Sequence, residues 1–396
     1  LASYYDTEGN PFRLSLGYAQ MHMAYDDAGR ILRRSFTGVD GQPTRIKAGY
    51  AAIEYSYDAF GHTTQTRYYD AQGSLMITGQ GYAILDQTYD EQGNLIREAY
   101  LNPWYGLMNG QNGYACIRYE YDEHGNQTRA AYYDQNEQPK QMHGKYVAIT
   151  REFDDQGNMV YQAYLNEQNE PVVMEGMTAF VRYTYDERGN RTEMWFYGLD
   201  GQKVKSPAGY HGQRMTYDAR GNRTSLTNLN ADGQPVFGNG RFAWMEADYD
   251  EDGNVLEERF YDPQGNLFIC NGGYARQTFV YDEHGRMLER RAFNEKGEVR
   301  DYARLFAIEQ STYDQEGKLI RKAFFVNDGV PGKNEVGAAA IEYSYDAGGN
   351  MVREAFLDAD GKLYKSGYGY AARELCSAKA IHFNKQLIQR LLTFIV

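Results

Sequence analysis

The sequence repeats itself with a fixed period of 32 residues, and this regularity constrains the fold more than any other feature. Each copy has an aromatic residue followed by Asp and, three residues after the Asp, by Gly. All eleven copies keep the Asp and the Gly. The aromatic positions are Tyr25, Tyr57, Tyr89, Tyr121, Phe153, Tyr185, Tyr217, Tyr249, Tyr281, Tyr313 and Tyr345. Such a period is typical of solenoids and arrays, in which each unit packs only against its neighbours.

Two further landmarks recur at constant distances from each Tyr-Asp pair. A second turn string follows twelve residues later, as at Tyr69, and its Gly is kept in nine of twelve copies. The exceptions are Tyr105, Glu137 and Asn169. A Gly-Tyr-Ala string, as at Gly81, precedes each pair and drifts in the later copies. The landmarks predict about 11–12 units over residues 1–372, forming one elongated domain.

The units are predicted to be β-hairpins. Tyr alone numbers 37 and aromatic residues make up 15% of the chain, whereas helix formers show no sustained 3.6-residue period. Asp followed three places later by Gly favours a type I turn that leads into a bulge and a new strand. The sequence therefore predicts an all-β, solenoid-like antiparallel hairpin array with a hairpin tip at every Asp-x-x-Gly.

Alternation along the strands predicts which side chains are buried. Before the tip at Asp58, Ile53 and Tyr55 share one face and Glu54 the other. By this parity the predicted core residues include Tyr89, Tyr121 and Tyr217, and the predicted wet face includes Glu54, Asp86, Arg118 and Arg182. The position of Tyr100 is aromatic in nine of eleven copies, with Asn228 and Ala292 as the exceptions, which predicts an aromatic ladder along the array.

Two parts of the chain leave alternatives open. About a dozen residues separate the second turn from the next Gly-Tyr-Ala, enough for a short strand or a plain connection. A full third strand would invert successive units and make the true period 64 residues.

Residues 373–396 leave the repeat pattern, and Leu387, Leu391 and Ile395 recur at helical spacing. We expect a capping helix there, with a membrane anchor or an altered terminus as alternatives.

Composition argues against several functional classes. Lys plus Arg is 41 and Asp plus Glu is 54, so the net charge of −13 disfavours nucleic acid and anionic membranes as partners. No apolar run reaches the roughly 18 residues of a membrane span. The three cysteines, Cys116, Cys270 and Cys376, fall at different places in the repeat and form neither a disulfide framework nor a metal quartet.

The sequence contains no recognisable catalytic motif. It has no Gly-x-Ser-x-Gly, phosphate loop or dinucleotide fingerprint. The string 250–254 resembles a calcium loop but lacks the later bidentate Glu, and repeated Asp at hairpin tips is explained by turn chemistry. We therefore expect no enzyme activity, no cofactor and no metal site.

The Tyr-Asp-x-x-Gly-Asn strings, as at Tyr89, resemble the YD repeats of the rearrangement-hot-spot (Rhs) family of large bacterial secreted and surface proteins. The resemblance covers residues 1–372 and implies a long spiralling antiparallel sheet, in some members a shell around a toxic domain. The strict period and the Gly-Tyr-Ala string depart from that pattern, and we expect neither a toxin domain nor an autoprotease-like end within these residues. One unit, residues 68–79, is also similar to the choline- and glucan-binding cell-wall repeats.

Two functions follow as hypotheses. The first is a bacterial surface or secreted module that binds cell-wall glycan or a surface protein. The second is a structural stalk or shell segment of a longer Rhs-like protein with flanking domains, an expectation that also rests on the chain opening within a repeat. The candidate ligand-binding residues are Trp104, Tyr105, Trp195 and Trp244, because all three tryptophans fall off the predicted core face. The alternative is that connecting segments cover them, or that the parity slips by one residue.

Overall fold

The computed structural model describes residues 1–4, 10–174 and 176–375. These residues divide into two compact units, one of Leu1–Tyr185 with Trp195–Val204, the other of Asp186–Met194 with Lys205–Val396. All the regular elements in the described ranges are β-strands, and none of these residues forms a helix that could span a membrane. The predicted capping helix falls almost wholly in residues 376–396, outside the described part.

The strands follow one another in chain order. In the first unit they are β1 (Ala2–Ser3), β2 (Gln20–Tyr25), β3 (Ile31–Thr37), β4 (Ala52–Tyr57), β5 (Thr63–Tyr69), β6 (Ile84–Tyr89), β7 (Leu95–Leu101), β8 (Cys116–Tyr121), β9 (Gln127–Tyr133), β10 (Ala148–Phe153), β11 (Met159–Leu165) and β12 (Phe180–Tyr185). Strand β13 (Arg191–Tyr197) has residues in both units. In the second unit they are β14 (Gly212–Tyr217), β15 (Arg223–Leu229), β16 (Trp244–Tyr249), β17 (Val255–Tyr261), β18 (Arg276–Tyr281), β19 (Met287–Phe293), β20 (Ile308–Tyr313), β21 (Leu319–Asn327), β22 (Val330–Pro331), β23 (Ala340–Tyr345), β24 (Met351–Leu357) and β25 (Ala372–Glu374).

Strand pairing settles the period within each unit. The two strands of a hairpin pair antiparallel along their whole length, as β6 and β7 do from Ile84 to Tyr89. Neighbouring hairpins pair over three residues only, as in Arg97↔Arg118 to Ala99↔Cys116. The segment between the second turn and the next strand, here called the connector, usually adds a single bridge such as Tyr69↔Leu75. Two long strands per repeat keep successive repeats in the same orientation, so the period is 32 residues.

The Asp-x-x-Gly strings form the predicted hairpin tips. In the tip at Asp90, the Gly93 amide donates to the Asp90 carbonyl (3.1 Å) and the Asp90 amide donates to the Asn94 carbonyl (3.0 Å). Gly93 has a φ of +87°, and the register shifts by one residue between Thr88 and Tyr89. This is a type I turn followed by a bulge, and the prediction of an all-β antiparallel hairpin array is confirmed.

Replacing Gly93 by Val is expected to cost about 1–2 kcal/mol of unfolding free energy, because a β-branched residue is strained at a positive φ. A Cβ atom at this position would also lie 3.2 Å from the Nε2 atom of His62. Gln92→Val, at the exposed neighbouring position, is the matched control. Urea denaturation of the two variants measures the difference, and equal midpoints would contradict the turn assignment.

One face of the hairpins carries the predicted aromatic ladder. In the first unit neighbouring ring centroids lie 4.6–6.2 Å apart, in the range of favourable tilted and stacked pairs. The rings belong to Tyr18, Phe36, Tyr50, Tyr68, Tyr82, Tyr100, Tyr114, Tyr132, Tyr146 and Tyr164. Rings of the Gly-Tyr-Ala strings alternate in this row with rings of the strands. We call this side, which includes Ile53 and Tyr55, the aromatic face.

The opposite side of the hairpins, called here the charged face, is less exposed to solvent than the sequence predicted. Near the second turns it buries a cluster that includes Ile84, Leu101 and Cys116, and Leu75 and Leu107 of the connectors pack against it. Asp86 is half-buried and bonds Arg97 (2.9 Å) and Gln65 (2.7 Å). Arg182 alone of the four predicted wet residues falls in the exposed class.

Burial therefore varies along each strand as well as between its faces. Tyr89, Tyr121 and Tyr217, predicted to be core residues, are only half-buried because they lie at the tip end of their strands. The connectors cover both faces at the other end, where Ala83, Ile84 and Ala99 are fully buried. Parity predicts the face of a residue correctly, but the covering segments decide how deeply it is buried.

Candidate functional site

The second turn at Asn102 presents two of the four candidate residues to solvent. Trp104 is 84% exposed and Tyr105 is 55% exposed. The Asn102 side-chain oxygen accepts hydrogen bonds from the amides of Trp104 (2.8 Å) and Gly106 (3.1 Å), which fixes the turn. Tyr105 occupies the usual Gly position with a φ of +65°, an uncommon conformation for a bulky residue. This turn therefore combines an exposed aromatic pair with local backbone strain.

Trp195 is buried, with 7% of its surface exposed, contrary to the expectation that it forms part of a contact surface. Alternation along β13 places Trp195 on the charged face, as predicted. It lies near the second turn, however, and the Nζ atom of Lys203 in the following connector sits 3.3 Å from the centre of its ring. A cation over an indole face is an attractive contact. The alternative in which a connecting segment covers the residue is therefore correct for Trp195.

Trp244 is half-buried at the start of β16. Its ring stacks on Tyr261, with centroids 5.0 Å apart and an interplanar angle of 20°. The second turn of the same repeat lies against it, since a Cβ atom on Gly265 would be 3.5 Å from the indole. The structure thus brings Trp104 and Tyr105 together on one turn, while Trp195 and Trp244 pack within their own repeats.

The aspartates of the tips are occupied by turn hydrogen bonds. The Asp250 side chain accepts from the amides of Asp252 (2.9 Å) and Asn254 (2.8 Å), and its second oxygen accepts from the Asn254 side chain (2.9 Å). The hydrogen bond from the Asn254 side chain is the largest effect that lowers the pKa of Asp250. The side chain of Asn94 lowers the pKa of Asp90 in the same way. In the described ranges no group of three or more His, Cys, Asp or Glu side chains could hold a metal ion.

The tyrosines of the Tyr-Asp pairs link successive hairpins, a role the sequence did not predict. The Tyr121 hydroxyl donates to the carbonyl of Leu95 (2.9 Å), the first residue of the returning strand in the preceding hairpin. The same bond, always 26 residues back along the chain, is made by Tyr57, Tyr185, Tyr217, Tyr249, Tyr313 and Tyr345. These bonds tie hairpins together near their tips, beyond the three-residue pairing of their strands.

Tyr121→Phe should remove one such link and lower the unfolding free energy by about 0.5–1.5 kcal/mol, the usual net contribution of a hydrogen bond. Tyr25→Phe is the matched control, because among the described residues the exposed Tyr25 hydroxyl bonds only the sulfur of Met23 (3.3 Å). Chemical denaturation of both variants gives the comparison. A larger loss for the Tyr25 variant would show that the hydroxyl bonds do not stabilise the repeats.

The aromatic ladder is interrupted where Ala292 replaces the ring, and a buried ion pair lies beside the gap. The Arg290 guanidinium stands 5.2 Å from the centre of the Tyr274 ring and bonds Asp301 at 3.2 Å. Both side chains are buried, and Gln277 accepts from the Arg290 Nε atom at 2.9 Å. The only sequence signal for this network was the missing aromatic residue at position 292.

Burial also sets the ionisation of the ladder and the thiols. It raises the pKa of Tyr100 in the ladder, with a hydrogen bond to Tyr114 adding to the effect. On the charged face, burial and a hydrogen bond to Glu54 raise the pKa of Tyr69 to about 12. The thiols of Cys116 and Cys270 are free and buried, and burial raises the pKa of each. A raised thiol pKa disfavours the reactive thiolate. Cys376 lies outside the described residues.

Together these features define a class of protein, an antiparallel β-hairpin repeat protein with two strands per 32-residue unit. No protein-family model matches the chain, and no curated protein matches it.

Among solved structures, the chain is similar to TcdB2-TccC3 without its hypervariable C-terminal region, at 16% identity and a TM-score of 0.34, over 89% of this chain and 16% of that chain. It is also similar to TcdB2-TccC3-TEV, at 14% identity and a TM-score of 0.32, over 91% and 20%. A third is a Photorhabdus luminescens Tc holotoxin pore, at 15% identity and a TM-score of 0.29, over 86% and 16%. The chain spans a fifth or less of each, and such distant likeness does not assign it to their family.

Proposed function

We propose that this chain is a non-enzymatic structural segment, a stalk or shell wall of a larger bacterial surface or secreted protein. The observation that carries the proposal is that the repeated residues serve internal bonding. The Asp of each tip closes its own turn, and the Tyr before it links to the preceding hairpin in most copies. A cleft of about 640 Å³ between the tips at Asp90 and Asp122 is lined by these same groups.

The resemblance to YD repeats supports this proposal, since such repeats form walls in the Rhs family. The structural role requires no cofactor, and the partners are the flanking parts of the longer protein. An extracellular or cell-surface location follows from the same resemblance. The repeat design also suits such a role, because a wall built from self-bonded units can vary in length without redesign of any unit.

A deletion experiment tests the structural proposal. Removing residues 122–153 joins Tyr121 to Asp154 and takes out one whole repeat. We expect the shortened chain to keep its β-type circular dichroism spectrum and a cooperative melt. Removing residues 122–137 instead takes out half a repeat and should abolish cooperative melting, because it deletes the hairpin tip and strand β9 and leaves β8 without its hairpin partner. Loss of folding in the first variant, or its retention in the second, would contradict a modular wall.

A second function, recognition of a cell-wall glycan or a surface protein, is favoured by one observation, the exposed Trp104–Tyr105 pair. Flat aromatic faces stack on sugar rings and on partner side chains, and backbone strain of the kind seen at Tyr105 is often found at binding sites. The buried Trp195 and half-buried Trp244 do not strengthen this candidate.

Tryptophan fluorescence distinguishes the two functions. A glycan that stacks on Trp104 should change the emission of the native chain and leave the emission of a Trp104→Phe variant unchanged. Trp244→Phe is the control that should preserve the response. If a panel of cell-wall glycans leaves the native emission unchanged, glycan recognition at this turn is wrong and the structural role stands alone.

A further inference from the structure

One connector in the second unit departs from the repeat at several positions. Leu305 stands where Gly273 and Gly337 hold the turn in the neighbouring copies, and Arg300 stands where the preceding copy has Phe268. In the next second turn, Val326 occupies a position that is Asp, Asn or Gly in the other copies. Conservative substitutions would keep the turn positions small or polar. Here two turn positions have become apolar, at Leu305 and Val326, and one apolar position of the preceding copy has become basic, at Arg300.

The departures change the backbone of the connector. The Asp301 side chain accepts hydrogen bonds from the amides of Ala303 (2.9 Å) and Arg304 (3.1 Å) and so holds a bend in place of the usual turn. The Tyr302 amide donates to the Gly273 carbonyl (2.7 Å). Gly273 is required there, because a Cβ atom on it would collide with the backbone nitrogen of Ala303. The bend is thus anchored to the rest of the unit.

The bend and the altered turn together enclose a cavity of about 200 Å³. Its lining combines apolar and basic side chains. The lining residues include Arg300, Arg304, Leu305, Phe306 and Val326. Leu305 is 68% exposed, so its side chain adds accessible apolar surface to the lining of the cavity.

The charge at the mouth is positive on a chain whose net charge is −13. Arg300 has no carboxylate within 4.0 Å among the described residues, and its guanidinium lies 5.2 Å from the Tyr302 ring. In the same described part of the chain, the carboxylate paired with Arg304 is the exposed Glu335 at 3.9 Å. The one acidic wall residue, Asp301, is buried and paired with Arg290. Two guanidinium groups are therefore available to an incoming anion.

We propose that this cavity binds an acidic peptide segment of a partner protein, with a carboxylate at Arg300 and Arg304 and a neighbouring apolar side chain against Leu305 and Val326. Guanidinium groups pair well with carboxylates because both are planar and can form two parallel hydrogen bonds. The apolar side chain next to the carboxylate would bury apolar surface against Leu305 and Val326, and this burial adds binding free energy that a carboxylate alone could not supply. The proposal is independent of the structural role, since a wall segment can carry such a site or lack it.

The test uses the full chain and a short fluorescein-labelled peptide of alternating glutamate and leucine, followed by fluorescence anisotropy. We expect saturable binding that weakens as salt is added. Replacing both arginines, Arg300→Ala with Arg304→Ala, should weaken binding at least about tenfold, the effect of losing one good charged contact. Leu305→Ser should weaken it as well. Arg220→Ala, an exposed arginine on a first turn of the same unit, should leave the affinity unchanged.

Two further peptides sharpen the outcome. A lysine–leucine peptide and a glutamate–serine peptide should both bind more weakly than the glutamate–leucine peptide. Equal binding of either one, or unchanged affinity in the double arginine variant, would overturn the proposal. Because both arginines are exposed, the variants should melt like the native chain. A photo-crosslinking peptide gives an independent readout and should label residues 300–307 or Val326, whereas labelling elsewhere would contradict the assigned site.

Discussion

Tyr100→Ala is expected to lower the unfolding free energy by about 3–5 kcal/mol, the usual cost of truncating a buried aromatic residue. Tyr100 is 8% exposed, and its ring lies 4.6 Å from that of Tyr82 and 5.4 Å from that of Tyr114. Its hydroxyl also lies 3.2 Å from the Tyr114 hydroxyl. The truncation therefore opens a gap between two neighbouring rings and leaves a buried hydroxyl without its partner.

Trp104→Ala is the matched control for this prediction. It removes a larger ring from the same repeat, but the ring is exposed to solvent, so the change in unfolding free energy should stay within about 0.5 kcal/mol. Urea titrations of both variants, followed by circular dichroism, give the two values. Similar losses in the two variants would mean that the ladder does not carry the stability of the hairpins.

Asp301→Asn is expected to cost about 3–5 kcal/mol, because it leaves the buried Arg290 guanidinium without a compensating charge. The substitution is nearly isosteric, and the side-chain oxygen can still accept from the amides of Ala303 and Arg304. The loss should therefore report on the charge and not on the bend. Thermal and chemical unfolding of the variant measure it.

Two companion variants test the assignment. Asp328→Asn removes an exposed carboxylate that pairs with Arg291 (2.6 Å), while Arg291 keeps its second partner, Glu289, so the unfolding free energy should change by no more than about 1 kcal/mol. Adding Arg290→Met to Asp301→Asn should restore part of the loss, since an uncharged chain can fill the gap beside Ala292. If the double variant is less stable than Asp301→Asn alone, the cost does not come from the unpaired charge.

The sequence by itself determined the repeat, the hairpin tips and the two faces of the strands. These features depend on local chemistry, because Asp and a positive-φ Gly specify the turn within five residues and alternation specifies the face. The aromatic row at Tyr100 and its breaks at Asn228 and Ala292 were read correctly for the same reason. The exceptions at Tyr105, Glu137 and Asn169 kept the turn despite losing Gly, with φ values of 58–65°.

Only the tertiary structure decided what covers each face. Trp195 has the parity of the charged face yet is buried, because Lys203 of the next connector lies over its ring. Tyr121 has core parity yet is half-buried, because connectors reach only the other end of its strand. Arg290 is matched with Asp301 across a connector, a pairing that no period reveals. Parity is a property of one strand, whereas burial depends on segments that are distant in sequence and meet only when the hairpins pack.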